Sequence, residues 1–370
     1  MDTTKAGAVV DAAIPTSDRP TPERLHALDA VRGYALLLGV VLHATAVRDR
    51  SKRVLLPLVV GLPVVVLFVV AGLVLGALPH GADYLVSLTR APPPEPGAAP
   101  AARIDLLHLW FLYYLLIFYA LALAVRATTQ ALDPRGSITA VCDRAVAFVM
   151  RGVWGPVLLA LPVALYYWQF QPWSEWLGLP APTSLVPQVG ALIGYGVAFA
   201  LGWLLHRQVP TLLALRNSWL VYFAIAVPLT VLCLGIIGTT PLWHGSNIHG
   251  YQRAVYALAY MTGVWCWVFA LVGAAIRFLS EQSPVTRYLS DASYWIYLMH
   301  MAPIIFFISL LRPYHWPWAV NFVIMFGGSM PILLLSYHYL VRFTWVGAIL
   351  NGRRHPKARK LPPANAAPAL

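Results

Sequence analysis

The sequence predicts an all-α fold, a polytopic bundle of helices that spans a membrane. Three observations carry this expectation. Of 370 residues, 59% are hydrophobic and only 11% are charged, where ordinary soluble domains carry about 25% charged residues; mean hydropathy is +0.68. Nine apolar segments follow one another, near 29–47, 54–78, 104–125, 152–170, 186–206, 217–239, 254–276, 292–311 and 317–341. The loops between them sort by charge.

The first segment, Leu28 to Val47, is long enough to cross a bilayer as a helix, yet holds Asp29, Arg32 and His43. Ionisable groups at membrane depth face a protein interior or a wet cavity. Arg32 and His43 are 11 residues apart. That puts them on nearly one helical face, roughly 16 Å apart at 1.5 Å per residue. The second segment, from Val54, carries no charge over its whole length. These segments are helices because an open strand cannot satisfy its backbone in lipid. Pro57, Pro63, Pro162 and Pro303 lie inside spans, where proline is tolerated and bends the helix. There is no clear internal repeat of the kind that marks many transporters.

Alternate loops from residue 48 onward hold eighteen of the arginines and lysines, beginning with Arg48, Arg50, Lys52 and Arg53 and ending with the basic stretch after Arg342. The loops between hold only Arg90, Arg103, Arg253 and Arg312. By the positive-inside rule the first set, and with it the C-terminus, is cytoplasmic. This reading also absorbs the net charge of +12, which on a soluble protein would point to nucleic acid; no basic face or RNA-binding signature accompanies it. The charge pattern leaves the first segment one crossing short if the N-terminus is inside. Residues 1–25 read as a polar arm without a cleavable leader, 26–350 as the membrane domain, and 351–370 as a basic, Pro/Ala-rich disordered tail. Residues 91–102 are a Pro/Ala-rich linker on the outer side. Cys142, Cys233 and Cys266 have no CxxC or metal-ligand spacing, so neither a disulfide framework nor a zinc site is implied.

Several residues can carry chemistry. His43 is a candidate general base for a hydroxyl, or a histidine bonded between helices. Arg32 can hold a phosphate or stabilise developing negative charge, or snorkel to the headgroups. Asp29 can pair with Arg32 at i, i+3, or simply begin the helix. Arg50 and Arg53 form a phosphate clamp for a nucleotide-bearing donor, or a positive-inside anchor. In RIDLLHLWFLYYLLIFY, Asp105 and His108 stand i, i+3 beside Trp110, a polar pocket suited to stacking a sugar, although a membrane aromatic belt explains the tryptophan as well. The stretch PLWHGSNIHGYQR offers His244, Asn247, His249 and Arg253 on the same outer side, with weak support for a metal. LSDASYWIYLMH places Ser293, Tyr297 and His300 at helical spacing, a polar stripe facing other helices. No GxSxG elbow, phosphate-binding glycine loop, HExxH or paired-carboxylate motif occurs.

LDAVRGYALLLGVVLH resembles the first helix of the acyltransferase-3 family of integral membrane O-acyltransferases, and SDASYWIYLMH resembles that family's late signature. HLWFLYYLLIFY and VRFTWVGAILNGRR are similar to its glucan biosynthesis protein C branch, which adds succinyl groups to glucans. The likeness runs over roughly residues 24 to 354. It implies a bundle of about ten spans, and acyl transfer (acetyl or succinyl) from an acyl-CoA to a hydroxyl of a glucan or other carbohydrate. It implies no tightly bound cofactor, with acyl-CoA as co-substrate. His43 matches the family's essential histidine, Arg32 its paired arginine, and Arg50 and Arg53 the arginine pair after the second helix. Asp29, Asp105, His108, Trp110, Ser293, Tyr297 and His300 are the expected acceptor-binding or supporting residues. The implied location is a bacterial-type inner membrane, with membrane lipid, acyl-CoA and a hydroxyl acceptor as partners. The sequence departs from the family in one place: the second helix is lacking, since only Ala44 to Asp49 separate His43 from the arginine-rich turn. A glycan or solute transporter, and a catalytically degenerate family member, are the competing expectations.

Overall fold

A computed structural model describes residues 54–89, 105–170, 178–239, 248–280 and 283–351. Asp29, Arg32, His43, Arg50, Arg53, His244, Asn247, the 91–102 linker and both termini lie outside the described residues. Among the described residues the protein is all helical. In chain order the helices are α1 (Gly61–Ala77), α2 (Ala82–Thr89), α3 (Trp110–Leu132), α4 (Ser137–Arg151), α5 (Gly155–Gln169), α6 (Val189–Leu205) and α7 (Val209–Leu213). There follow α8 (Leu215–Ile237), α9 (Gly250–Phe278), α10 (Pro284–Met299), α11 (Met301–Leu311), α12 (Trp318–Ser336) and α13 (Trp345–Asn351).

Five helical stretches are long and apolar enough to cross a membrane: Val54–His80, Leu107–Leu132, Leu215–Ile237, Gly250–Phe278 and Trp318–Val341. Two further pairs, α4 with α5 and α10 with α11, qualify only as broken spans, bent by 107° and 58°. α6 is apolar but shorter. Eight of the nine expected segments therefore fall on helices, two of them differently shaped from the simple spans expected.

The segment near 152–170 is the 15-residue α5, entered through a near-right-angled turn from α4. The physical reason is local. α4 carries Asp143, Arg144 and Arg151, which a continuous span would drag into hydrocarbon. At the turn, a Cβ on Gly155 would fall 2.1 Å from the Val149 carbonyl oxygen, so only glycine admits this corner. The segment near 292–311 breaks at His300. Pro303 has no N–H for the Met299 carbonyl and its ring crowds that turn, so the chain bends and restarts as α11. α10 itself begins cleanly: the Ser283 side chain caps the Thr286 N–H and Pro284 fills the first turn, where its missing donor costs nothing.

The helices assemble around two cores. One joins α4 to α9, centred on Tyr167, Tyr222, Tyr256 and Phe269. The other joins α1, the start of α3 and α10 through Val65, Leu109, Leu112, Tyr297 and Leu298. Tyr114, Phe118 and Ala191 link α3 to α6. α9 is the most buried long helix and α12 the least. Lipid is as apolar as leucine, so close packing must hold membrane helices together. α1 shows how. Gly72 and Gly76 stand four apart, and a Cβ at either would fall 2.5 Å from the Ala302 oxygen or 2.3 Å from the Phe306 oxygen. α1 and α11 therefore meet backbone to backbone.

Candidate functional site

The site is built first by residues 105–109. The Asp105 carboxylate accepts a hydrogen bond from the Leu107 N–H at 2.8 Å, and the Leu106 N–H donates to the Thr183 oxygen at 2.7 Å. Leu107 takes φ = 49°, a left-handed conformation that costs a bulky residue about 1–3 kcal/mol and persists only where its surroundings enforce it. Here Leu106 and Leu109 are fully packed on either side. A short 3-10 turn, Leu107–Leu109, follows and leads into α3. Asp105 and His108 thus do not share a helical face as their spacing suggested: Asp105 precedes the helix, and the positive φ at Leu107 turns the chain between them.

The turn delivers His108 to the end of α10. The Tyr297 hydroxyl donates to the His108 backbone oxygen at 2.8 Å, and His108 Nε2 lies 3.1 Å from the Leu298 oxygen. His300 Nδ1 lies 2.7 Å from the Tyr297 oxygen. The two imidazoles stand edge to face with centroids 4.6 Å apart. Helix-end carbonyls lack intrahelical partners, and those of Tyr297 and Leu298 take imidazole donors. A carbonyl can only accept, so these bonds assign the tautomers. His108 carries its proton on Nε2 and keeps a lone pair on Nδ1. His300 carries its proton on Nδ1 and keeps a lone pair on Nε2. His108 Nδ1 is buried with no hydrogen-bond partner among the described residues. His300 Nε2 can accept a hydrogen bond, or the proton itself, from a hydroxyl, while the buried His108 Nδ1 can accept a hydrogen bond only from a group that enters the cluster.

Three of the expected residues, His108, Tyr297 and His300, are therefore brought together from points 189 residues apart in the chain. Trp110 sits one turn away in a neighbouring aromatic group, 5.2 Å from Tyr195 and 5.7 Å from Tyr114 between ring centroids. Ser293 is spent within its own helix, donating to the Ser290 oxygen at 2.8 Å. Arg253, expected in an outer loop, lies on the first turn of α9, where it is buried and donates from Nε to the Tyr167 oxygen at 3.0 Å. Among the described residues no three metal-ligating side chains gather in one place. Reasoning from sequence missed the Leu298 carbonyl and the Thr183 strap over Leu106. Pro303 was the available signal for the first, since it marks where α10 must release its last carbonyls.

Residues 45–338 match the acyltransferase-3 family, described as an acyltransferase domain. The match begins two residues after His43, so Arg32 and His43 stand outside it, while the His108, Tyr297 and His300 cluster lies within. No curated protein and no solved structure matches the chain. A match over well more than half the sequence, on a bundle of membrane-spanning helices, makes this an integral membrane protein that belongs to the acyltransferase-3 family.

Proposed function

We propose that the protein transfers an acyl group, acetyl or succinyl, from an acyl-CoA to a hydroxyl of a glucan or similar carbohydrate. The donor reaches the site from the cytoplasmic side of a bacterial-type inner membrane, and the C-terminus is cytoplasmic. His43 takes the proton of the acceptor hydroxyl. The oxygen attacks the thioester carbonyl, the carbon–sulfur bond breaks, and the coenzyme A thiolate leaves and is reprotonated. Arg32 stabilises the oxyanion, and Arg50 and Arg53 hold the donor's phosphates. His108 and His300 hold the acceptor hydroxyl through their free nitrogens, with Trp110 offering a stacking face nearby and Asp29, Asp105 and Ser293 in support. The likeness to the glucan biosynthesis protein C branch supports a glucan as acceptor.

The observation that carries this reading is the His108–His300 pair, whose bonds to backbone carbonyls leave opposite ring nitrogens as acceptors. The test is transfer of a radiolabelled acetyl or succinyl group from its coenzyme A ester to membrane glycans. Wild-type membranes are expected to label them, and His43→Ala and His300→Ala membranes are expected not to. Full labelling by either variant would remove that residue from the mechanism.

A second reading, a glycan or solute flippase, is favoured by the two broken spans, since discontinuous helices line many transport sites. It predicts movement of glycan across sealed vesicles with no labelled ester formed.

A further inference from the structure

α8 and α9 lie against each other over most of their length but do not stay equally close. At Gly273 they touch: a Cβ there would fall 2.4 Å from the Leu215 oxygen. At Gly263, ten residues earlier, the nearest atom of α8 to such a Cβ is Leu229 Cβ at 3.5 Å. The helices diverge toward the α8 C-terminus, and a groove of about 320 Å³ opens between them. It runs along α9 from Tyr256 to Trp267, roughly 16 Å at 1.5 Å per residue. Every residue lining it belongs to one of two membrane-spanning helices.

We propose that this groove holds one hydrocarbon chain of a membrane lipid. Its polar side chains are already committed: Trp267 Nε1 donates to Thr230 Oγ1 at 3.0 Å, and Thr230 Oγ1 donates to the Ala226 oxygen at 2.8 Å. A water needs two to four polar partners to settle in a cavity, and the remaining wall, with Leu229, Cys233 and Gly263, offers few. An acyl chain needs none, and lipid is the solvent around membrane-spanning helices. The stacked rings of Tyr256 and Tyr260, 5.7 Å apart, flank the wide end. No residue of α1, α3, α10 or α11 lines the groove, so its occupant is separate from the histidine cluster and the proposal is independent of the acyl-transfer reading.

The test uses the full-length protein in phosphatidylethanolamine–phosphatidylglycerol vesicles doped with a phosphatidylglycerol that carries a diazirine on one acyl chain. After illumination, adducts are mapped by peptide mass spectrometry. Groove peptides holding Cys233 or Trp267 are expected to carry several-fold more adduct per residue than the control peptide of α12 holding Phe322 and Phe326, which are widely exposed. Gly263→Leu and Ala259→Leu fill the groove and should bring its labelling down to the control level, with α12 labelling unchanged. Equal labelling of groove and control in the wild type would overturn the proposal. So would undiminished groove labelling in a filled variant that melts like wild type. If both variants fail to fold, the wild-type ratio decides alone.

Discussion

Tyr297 and His108 hold each other in a closed exchange. The tyrosine hydroxyl donates to the histidine's backbone oxygen at 2.8 Å, and the histidine ring reaches past the tyrosine to the next carbonyl, that of Leu298, at 3.1 Å. Each residue thereby fixes the other's helix end, and the imidazole tautomer follows from the exchange.

Removing the hydroxyl tests that geometry. Tyr297→Phe keeps the ring and its packing but leaves the His108 oxygen without its donor. A net loss of about 1 kcal/mol is expected for one such bond, visible as a lower melting temperature in detergent. Acyl transfer should fall by more than that stability loss explains, because the His108 ring loses its fixed approach. Unchanged transfer alongside lowered stability would restrict Tyr297 to packing.

The two free ring nitrogens can be deleted without deleting the bonds that orient them. In His108→Gln the amide nitrogen stands near the former Nε2 and can still donate to the Leu298 oxygen. In His300→Asn the amide nitrogen stands near the former Nδ1 and can still donate to the Tyr297 oxygen. Both variants should melt near wild type, while acyl transfer drops by about 10²-fold or more, the lower end of what a proton-transfer group supplies. Transfer near the wild-type rate in both would show that neither nitrogen touches the acceptor.

Pro303 sets the bend that exposes the α10 carbonyls. Pro303→Ala restores an N–H able to reach the Met299 oxygen, and α10 and α11 should straighten toward one helix. Thermal stability is expected to hold or rise while transfer falls, since the Leu298 and Tyr297 oxygens would turn back into the helix. Transfer retained in a stabilised Pro303→Ala variant would detach the bend from the chemistry.

Gly72 and Gly76 admit no side chain. Gly76→Val should cost about 1–3 kcal/mol, the range for overpacking a close contact, and Gly72→Val a similar amount. Gly327→Val on α12, where a Cβ meets nothing within 4 Å, is the matched control. The measurement is the yield of monodisperse protein after mild heating in detergent, and equal yields for all three variants would contradict the backbone contact.

Much of the fold was legible because lipid removes alternatives: an uncharged stretch such as that from Val54 has no other stable form. The Tyr297–His300 spacing was legible for the same kind of reason, since a helix puts i and i+3 side by side. The partner on α3 was not, because nothing local to His108 announces a residue 189 positions away. The Asp105–His108 pairing went wrong through a single backbone angle at Leu107, a residue type that almost never declares a left-handed turn. The α4–α5 corner was half written in Asp143 and Arg144, whose charges argued against an uninterrupted crossing. The four-residue spacing of Gly72 and Gly76 was present in the sequence as a helix-pairing signal, but the partner helix had to come from the structure.

The glycine contact has a mechanical side. At Gly72 and Gly76 no side chain of α1 separates the two helices, so α1 and α11 have little room there to slide past each other. The pair meets α10 twice, through the turn at His300 and through Leu298, whose side chain would lie 3.2 Å from a Cβ on Gly61. The head of α1 at Gly61 thus stands against the same end of α10 to which both imidazoles bond.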